Sequence, residues 1–334
     1  MKRGNRMAYK KSVYLKAKAA LDARRAASEQ MARLRHEEVL RVCPALEDVE
    51  REMTACGAEV IRRIAGGEDC KQNFDTLKAH SLAMQQERAR LLKEHGFAAD
   101  YLDNVYTCPV CQDTGTHGSY YCDCYLALVR ETAKKEIKAA QLGQCTFETF
   151  DLRYYSDTVD PQLGKSHRQI MAAVLQHFKN YAEQFTPRSR GAILLGKTGL
   201  GKTHLSLAVV NRLVERGFNV YYDSAAGLLN RLEKQRFSKN DTDDELEEDI
   251  FSSDLLVIDD LGTEFTTSFT TAAIYDVLNT RLNRGLPTFF NSNMTLNEIE
   301  ERYSQRFTSR VVGNCDIVGF YGKDIRQQKI REKF

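Results

Sequence analysis

The chain has 334 residues, 42% of them hydrophobic and 28% charged, with a formal net charge of +2. That is ordinary for a soluble protein, comfortable for two domains and enough for a sizeable core. No window approaches the ~20 consecutive apolar residues of a membrane span, and the opening MKRGNRMAYKK lacks the apolar segment of a signal peptide, so no membrane partner and a cytoplasmic location are expected. The bland overall charge does not support tight intrinsic duplex binding, although charge is unevenly placed. Residues 1–35 hold 11 Lys/Arg against Asp22 and Glu29, whereas residues 241–249 hold seven acids in nine positions. Nine cysteines, an odd number, argue for reduced thiols, some of them on a metal.

From about residue 10 to 95 the chain is rich in Ala, Arg, Glu, Leu and Lys and poor in Gly and Pro, which predicts helices. Three are expected: one running to Pro44, one carrying Leu46, Val49, Met53, Val60 and Ile64 and stopping at Gly66 and Gly67, and one over about 70–94 that stops near Gly96.

The character breaks at residues 101–125, YLDNVYTCPVCQDTGTHGSYYCDCY. Cys108, Cys111, Cys122 and Cys124 form Cys-Pro-Val-Cys, then ten residues, then Cys-Asp-Cys. A Cys-x-x-Cys turn aims two thiolates at one ion and a second pair completes tetrahedral zinc, with Gly115 and Gly118 suited to the turns between. The second pair has one intervening residue instead of two, which leaves open whether His117 replaces a cysteine. A closed shell of four ligands makes this structural zinc and not a reaction centre. Cys43, Cys56, Cys70, Cys145 and Cys315 have no partner spacing and are expected to be ordinary thiols.

A short helix over about 126–140 and the connecting stretch TFETFDLRYYSD follow. Beyond about residue 165, AILLG, NVYYD, DLLVIDD, TFFNSN and DIVGF alternate with helical patterns, which predicts an α/β fold with a five-stranded parallel sheet. GKTGLGKT, residues 196–203, fits G-x-x-x-x-G-K-[ST], with a strand before it and a helix after it. Gly196, Lys197, Thr198, Gly199, Leu200 and Gly201 would wrap backbone N–H groups around phosphates at the positive end of the helix. Lys202 would reach the β and γ phosphates and Thr203 would offer its hydroxyl to Mg²⁺.

Downstream, Leu255 to Ile258 read as a buried strand ending in two acids. Asp259 is expected to hold Mg²⁺ and Asp260 to orient the attacking water; Asp260 is shorter than the glutamate usual in such a role, which suggests slow or partner-dependent turnover. Asn293, with Asn291 as runner-up, is expected at the carboxyl edge of the next strand, near the γ-phosphate. Arg302, Arg306 and Arg310 are spaced four apart, as on one helical face. Arg231, Lys234, Arg236 and Lys239, just before the acidic run, offer phosphate contacts to DNA or form a solvated face.

GKTGLGKTHL, LLVIDDLG, FFNSN, RFTSRV and GFYGKDIR together resemble the AAA+ helicase-loader group, which comprises the bacterial DnaC and DnaI loaders and the related IstB transposition helper ATPases. The resemblance covers about residues 145–334, and the cysteine cluster, similar to that of the DnaI-like loaders, extends it to about residue 100. It implies ATP as the nucleotide, Asn293 as a polar sensor, Arg310 as an arginine finger acting across a subunit boundary, and Arg326 as a second sensor near the γ-phosphate. It also implies a fold without the helical lid most AAA+ proteins carry. The organisation expected is a helical region over 1–100, a zinc module over 101–130, a linker over 131–164 and the ATPase domain over 165–334. The function implied is an ATPase that loads a DnaB-type replicative helicase onto single-stranded DNA, as a homo-oligomer on nucleotide or helicase. The rivals are an IstB-like transposition helper and a nucleotide-sensing adaptor with negligible hydrolysis.

Overall fold

The computed structural model describes residues 9–65, 71–137, 139, 142–237 and 249–332. Two compact units are present: Lys16–Ala127, and Leu128–Phe334 together with Met1–Leu15. Residues 131–164 therefore fall within the second unit. Among the described residues, no helix is long and apolar enough to cross a membrane.

The first unit is built on α1 (Lys11–Val42) from Lys16 onward, α2 (Ala45–Ala65) and α3 (Lys71–Glu94). Pro44, which cannot donate into a helix, separates α1 from α2. Gly96 ends α3 with φ of 85°, and the Phe97 N–H donates back to the Leu92 carbonyl at 2.9 Å. This six-to-one closure drops Phe97 onto the small core of Val39, Cys43, Leu46, Leu91, Leu92 and Leu102. Gly66 and Gly67, the expected stop of the second helix, lie outside the described residues. A two-stranded antiparallel hairpin, β1 (Thr116–His117) and β2 (Tyr120–Tyr121), precedes α4 (Asp123–Glu136).

The second unit is a five-stranded parallel sheet of β3 (Gly191–Leu195), β4 (Val220–Ser224), β5 (Leu255–Leu261), β6 (Thr288–Ser292) and β7 (Cys315–Gly319). Their order is β4-β5-β6-β3-β7. The helices are α5 (His167–Gln184), α6 (Lys202–Glu215), α7 (Ala225–Phe237), α8 (Ser268–Asn283), α9 (Leu296–Tyr303), α10 (Gln305–Asn314) and α11 (Ile325–Arg331), which is the one described element after β7. This is the α/β architecture with a five-stranded parallel sheet that the sequence predicts. Because β6 is inserted between β3 and β5, the loop after β3 and the acidic end of β5 flank the end of β6, and side chains from all three converge at the carboxyl edge.

Every residue of β6 is buried, as suits a central parallel strand covered on both faces. Phe290 packs into the cluster with Ile258, Ile274, Leu278 and Phe307, while Phe289 meets Phe178 of α5 at a ring separation of 5.7 Å.

Arg281 of α8 is fully buried among apolar neighbours, and its guanidinium donates to the Thr288 and Ser253 hydroxyls and to the carbonyls of Ile250, Ser253 and Pro287, at 2.6 to 3.1 Å. Burial draws its pKa down to about 9. Neutral oxygens thus satisfy a buried cation and pin the entry to β5 against the start of β6.

Candidate active site and cysteine centre

The phosphate-type loop follows β3 directly. Gly201, at φ of 89°, is the N-cap of α6, a left-handed position that only glycine adopts without strain. At Gly196 a Cβ would stand 2.6 Å from the Phe320 carbonyl oxygen, so glycine there lets the chain after β7 close over the loop. Lys202 is the first residue of α6 and is folded back into the loop. Its ammonium donates to the carbonyls of Gly196 at 2.5 Å and Lys197 at 2.8 Å, and to Asn293 Oδ1 at 2.8 Å. Burial lowers its pKa to about 8, against the opposing pull of Asp260 and Asp259. Lys197 and Thr198 are exposed at the tip of the loop, while Leu200 is buried.

Support for the loop comes from a stretch that reads in sequence only as a connection. The Tyr155 hydroxyl donates to the Leu200 carbonyl at 2.8 Å, Phe150 stacks on Tyr155, and His204 meets Phe150 edge-on while contacting the Thr146 carbonyl at 3.0 Å. Asn211 of α6 donates to the carbonyls of Leu142 and Cys145. Aromatic residues spaced at 147, 150, 154 and 155 were the available signal.

Asp259, buried at the end of β5, is the centre of the polar network. Its Oδ1 accepts from Thr203 Oγ1 at 3.1 Å, Asn291 Nδ2 at 2.8 Å and the Asp260 N–H at 3.1 Å; its Oδ2 accepts from the Tyr222 hydroxyl at 2.5 Å. Burial, then the adjacent Asp259 carboxylate, push the Tyr222 phenol well up, so it stays a donor. Asn291 also donates to Ser206 Oγ at 2.8 Å and is fully buried. The runner-up asparagine thus braces Asp259, while Asn293 meets Lys202. A carboxylate beside a threonine hydroxyl is a hard-oxygen donor set, which fits Mg²⁺.

The pairing of β5 with β6 shifts register between Ile258 and Leu261, and Asp260 lies in that irregularity with φ of 53°. Such a bulge re-aims side chains, so the second acid is not simply on the opposite face of the strand. Desolvation, then Asp259, raise the Asp260 carboxyl above the usual range, while Lys202 and Arg326 pull it down. Arg326 is in the first turn of α11, which Asp324 caps by accepting from the Arg326 and Gln327 N–H groups. Its charge is also felt by Lys202.

The remaining arginines divide. Arg310 of α10 donates to the Tyr275 hydroxyl at 3.0 Å and lies over that ring. Arg306 is exposed on the same helix, but Arg302 belongs to α9, because Ser304, at φ of 123°, breaks the helix and caps α10. The single face expected from four-residue spacing is therefore limited to Arg306 and Arg310. Arg302 pairs with the buried carboxylate of Glu264, which also accepts from Tyr303. Arg231, read as either a phosphate contact or part of a solvated face, pairs with Asp223 and donates to the Tyr221 hydroxyl at 2.9 Å. Lys234 is exposed; Lys239 and the side chain of Arg236 lie outside the described residues, as does the acidic run except Asp249, which pairs with Lys10 at 2.5 Å.

In the other unit, the sulfurs of Cys108, Cys111, Cys122 and Cys124 all lie within 4.8 Å of one another. Cys108 and Cys122 are 3.8 Å apart and Cys111 and Cys124 3.3 Å, far beyond a disulfide bond. Zinc–sulfur bonds of ~2.3 Å in a tetrahedron put sulfurs ~3.8 Å apart, so the set fits Zn²⁺. The buried Asp113 carboxylate accepts from the N–H groups of Thr107 and Cys108, fixing the first knuckle. His117 is exposed on β1 and is outside this group.

Residues 134–333 match the family model of IstB-like ATP binding proteins. The replicative helicase loader DnaC of Escherichia coli (strain K12) is 27% identical over 187 residues, 56% of this chain and 76% of that protein. The replicative helicase loader DnaI of Bacillus subtilis is 31% identical over 159 residues, 43% of this chain and 49% of that protein. Among solved structures, the DnaC helicase loader aligns with a TM-score of 0.46 at 19% identity, covering 55% of this chain and 100% of that one. DnaI aligns with a TM-score of 0.43 at 20% identity, covering 56% and 94%.

Proposed function

This chain belongs to the IstB-like ATP-binding protein family, and we propose that it is an ATP-driven loader of a DnaB-type replicative helicase onto single-stranded DNA. The observation that carries the reading is the similarity to DnaC, which runs over 76% of that helicase loader. The curated relatives named above are replicative helicase loaders, which favours this reading over a transposition helper.

The chain is an ATPase, and the geometry suggests how its residues divide the work. The N–H groups of Gly196, Lys197, Thr198, Gly199, Leu200 and Gly201 cradle the phosphates at the start of α6. Lys202 leaves its carbonyl partners for the β and γ phosphates; Thr203 and Asp259 hold Mg²⁺, which supplies charge neutralisation on the phosphate oxygens. Asp260 orients the attacking water. Asn293 and Arg326 contact the γ-phosphate from β6 and α11, and Arg310 acts on the nucleotide of a neighbouring copy, so a homo-oligomer forms on nucleotide or helicase. Zn²⁺ on the four cysteines holds the helicase-binding region together.

Co-elution of the full-length protein with its host's replicative helicase, with ATP, with ADP and without nucleotide, tests the reading. A complex whose stability depends on the nucleotide supports it. If no complex forms under any condition, the loader assignment is wrong.

A further inference from the structure

Beyond the residues proposed to meet nucleotide, one side chain of a neighbouring strand reaches the acid proposed for the metal position. β4 and β5 run parallel with Ser224 opposite Asp259 and Tyr222 opposite Val257. Tyr222 is two residues before Ser224, so its side chain shares the face of Ser224 and stands diagonal to Asp259, one pleat upstream. A diagonal neighbour is beyond the reach of short side chains but within that of an aromatic one. The tyrosine ring spans the gap and its hydroxyl ends 2.5 Å from Asp259 Oδ2.

The donors around this carboxylate are distributed unequally. Thr203, Asn291 and the Asp260 N–H all converge on Oδ1, whereas among the described residues Tyr222 is the one side chain shown donating to Oδ2. Asp259 is buried, so an Oδ2 without its donor loses a hydrogen bond that no other described side chain replaces, and the carboxylate gains freedom to turn about its Cβ–Cγ bond. Thr203, itself a candidate metal ligand, cannot serve as a permanent anchor.

We infer that Tyr222 is a positioning residue of the ATPase site, its hydroxyl fixing the Asp259 carboxylate so that Oδ1 stays turned toward Thr203 for Mg²⁺. The inference rests on the assignment of Asp259 and Thr203 to Mg²⁺ given above. It differs from a packing role in what it controls: the ring fills space, whereas the hydroxyl sets metal dependence.

The test uses full-length protein with Tyr222→Phe, which keeps the ring, and Asp259→Asn as a reference. Binding of a fluorescent non-hydrolysable ATP analogue is followed as Mg²⁺ is titrated, and again with a chelator in place of the metal; melting in chelator checks the fold. Loss of a group that orients a metal ligand costs roughly tenfold or more in metal affinity. Tyr222→Phe is therefore expected to raise half-saturating Mg²⁺ about tenfold, with analogue affinity in chelator unchanged. Native Mg²⁺ dependence in Tyr222→Phe, with a raised requirement in Asp259→Asn, overturns the inference alone. Native Mg²⁺ dependence in both variants overturns the Asp259 assignment and the inference with it.

Discussion

Lys202 and Asn293 are bonded to each other, ammonium to side-chain carbonyl oxygen, at 2.8 Å. One begins the helix after β3 and the other follows β6, its neighbour in the sheet, so this bond ties the phosphate loop to the position expected of a sensor. In this arrangement the lysine is saturated by two loop carbonyls and one asparagine, which phosphate oxygens would replace in the proposed role. Lys202→Ala is expected to lower ATP affinity by about a hundredfold or more, because it removes the charge and leaves those oxygens without a donor. Asn293→Ala leaves the lysine in place and is expected to lower turnover about tenfold to a hundredfold with a smaller loss of affinity. Equilibrium binding and steady-state hydrolysis on both variants check this.

The same lysine sets a pH dependence. Its pKa of about 8 without nucleotide is below the ordinary lysine range. Phosphate bound at Lys202, as proposed, would favour the ammonium and raise that pKa. A group whose pKa rises on binding contributes fully below its free-state pKa and progressively less above it. ATP affinity is therefore expected to weaken above about pH 8, approaching tenfold per pH unit, with proton uptake on binding. Calorimetry at alkaline pH in buffers of different ionisation enthalpy reads that proton directly.

Asp260 tests the chemistry. Asp260→Asn is expected to lower turnover by about a hundredfold with ATP binding retained, since a general base or water-orienting group contributes mainly in the transition state. Asp260→Glu restores the longer side chain and is expected to raise turnover. If Asp260→Glu leaves hydrolysis as it was, side-chain length at this bulge is not what limits the rate.

The cysteine centre makes a prediction about composition and stability. Elemental analysis is expected to find one zinc per chain, lost in Cys111→Ser. Because zinc bound to a preformed thiolate set stabilises the fold that presents it, chelation is expected to lower the melting temperature of the protein. An unchanged melt and no zinc would refute the assignment.

Arg281 offers a test away from the site. Arg281→Ala would leave the Ile250, Ser253 and Pro287 carbonyls and the Ser253 and Thr288 hydroxyls without their shared donor. Chemical denaturation is expected to show a loss of at least about 3 kcal/mol, with the metal content of the cysteine centre unaffected.

What the amino-acid sequence determined by itself is local. GKTGLGKT, the apolar run ending in Asp259 and Asp260, and the Cys-Pro-Val-Cys knuckle are contiguous, and their backbone torsions and strand or helix periods are dictated by a few neighbouring residues. The parallel sheet was legible for the same reason, as five apolar runs set between helical patterns. What only the tertiary structure decided concerns partners distant along the chain. Tyr222 reaches Asp259 because β4 pairs with β5 in one register; a slip of one residue would turn it to the other face. Asn291 and Asn293 take different roles, one on Asp259 and one on Lys202, because β6 is inserted between β3 and β5. Arg302 leaves the face of Arg306 because one residue, Ser304, takes a conformation that four-residue spacing does not anticipate. The aromatic stretch around Phe150 and Tyr155 and the burial of Arg281 likewise depend on which surface each element covers. Strand order, register and burial are set by the sum of contacts over the whole domain, and no short window of sequence contains that sum.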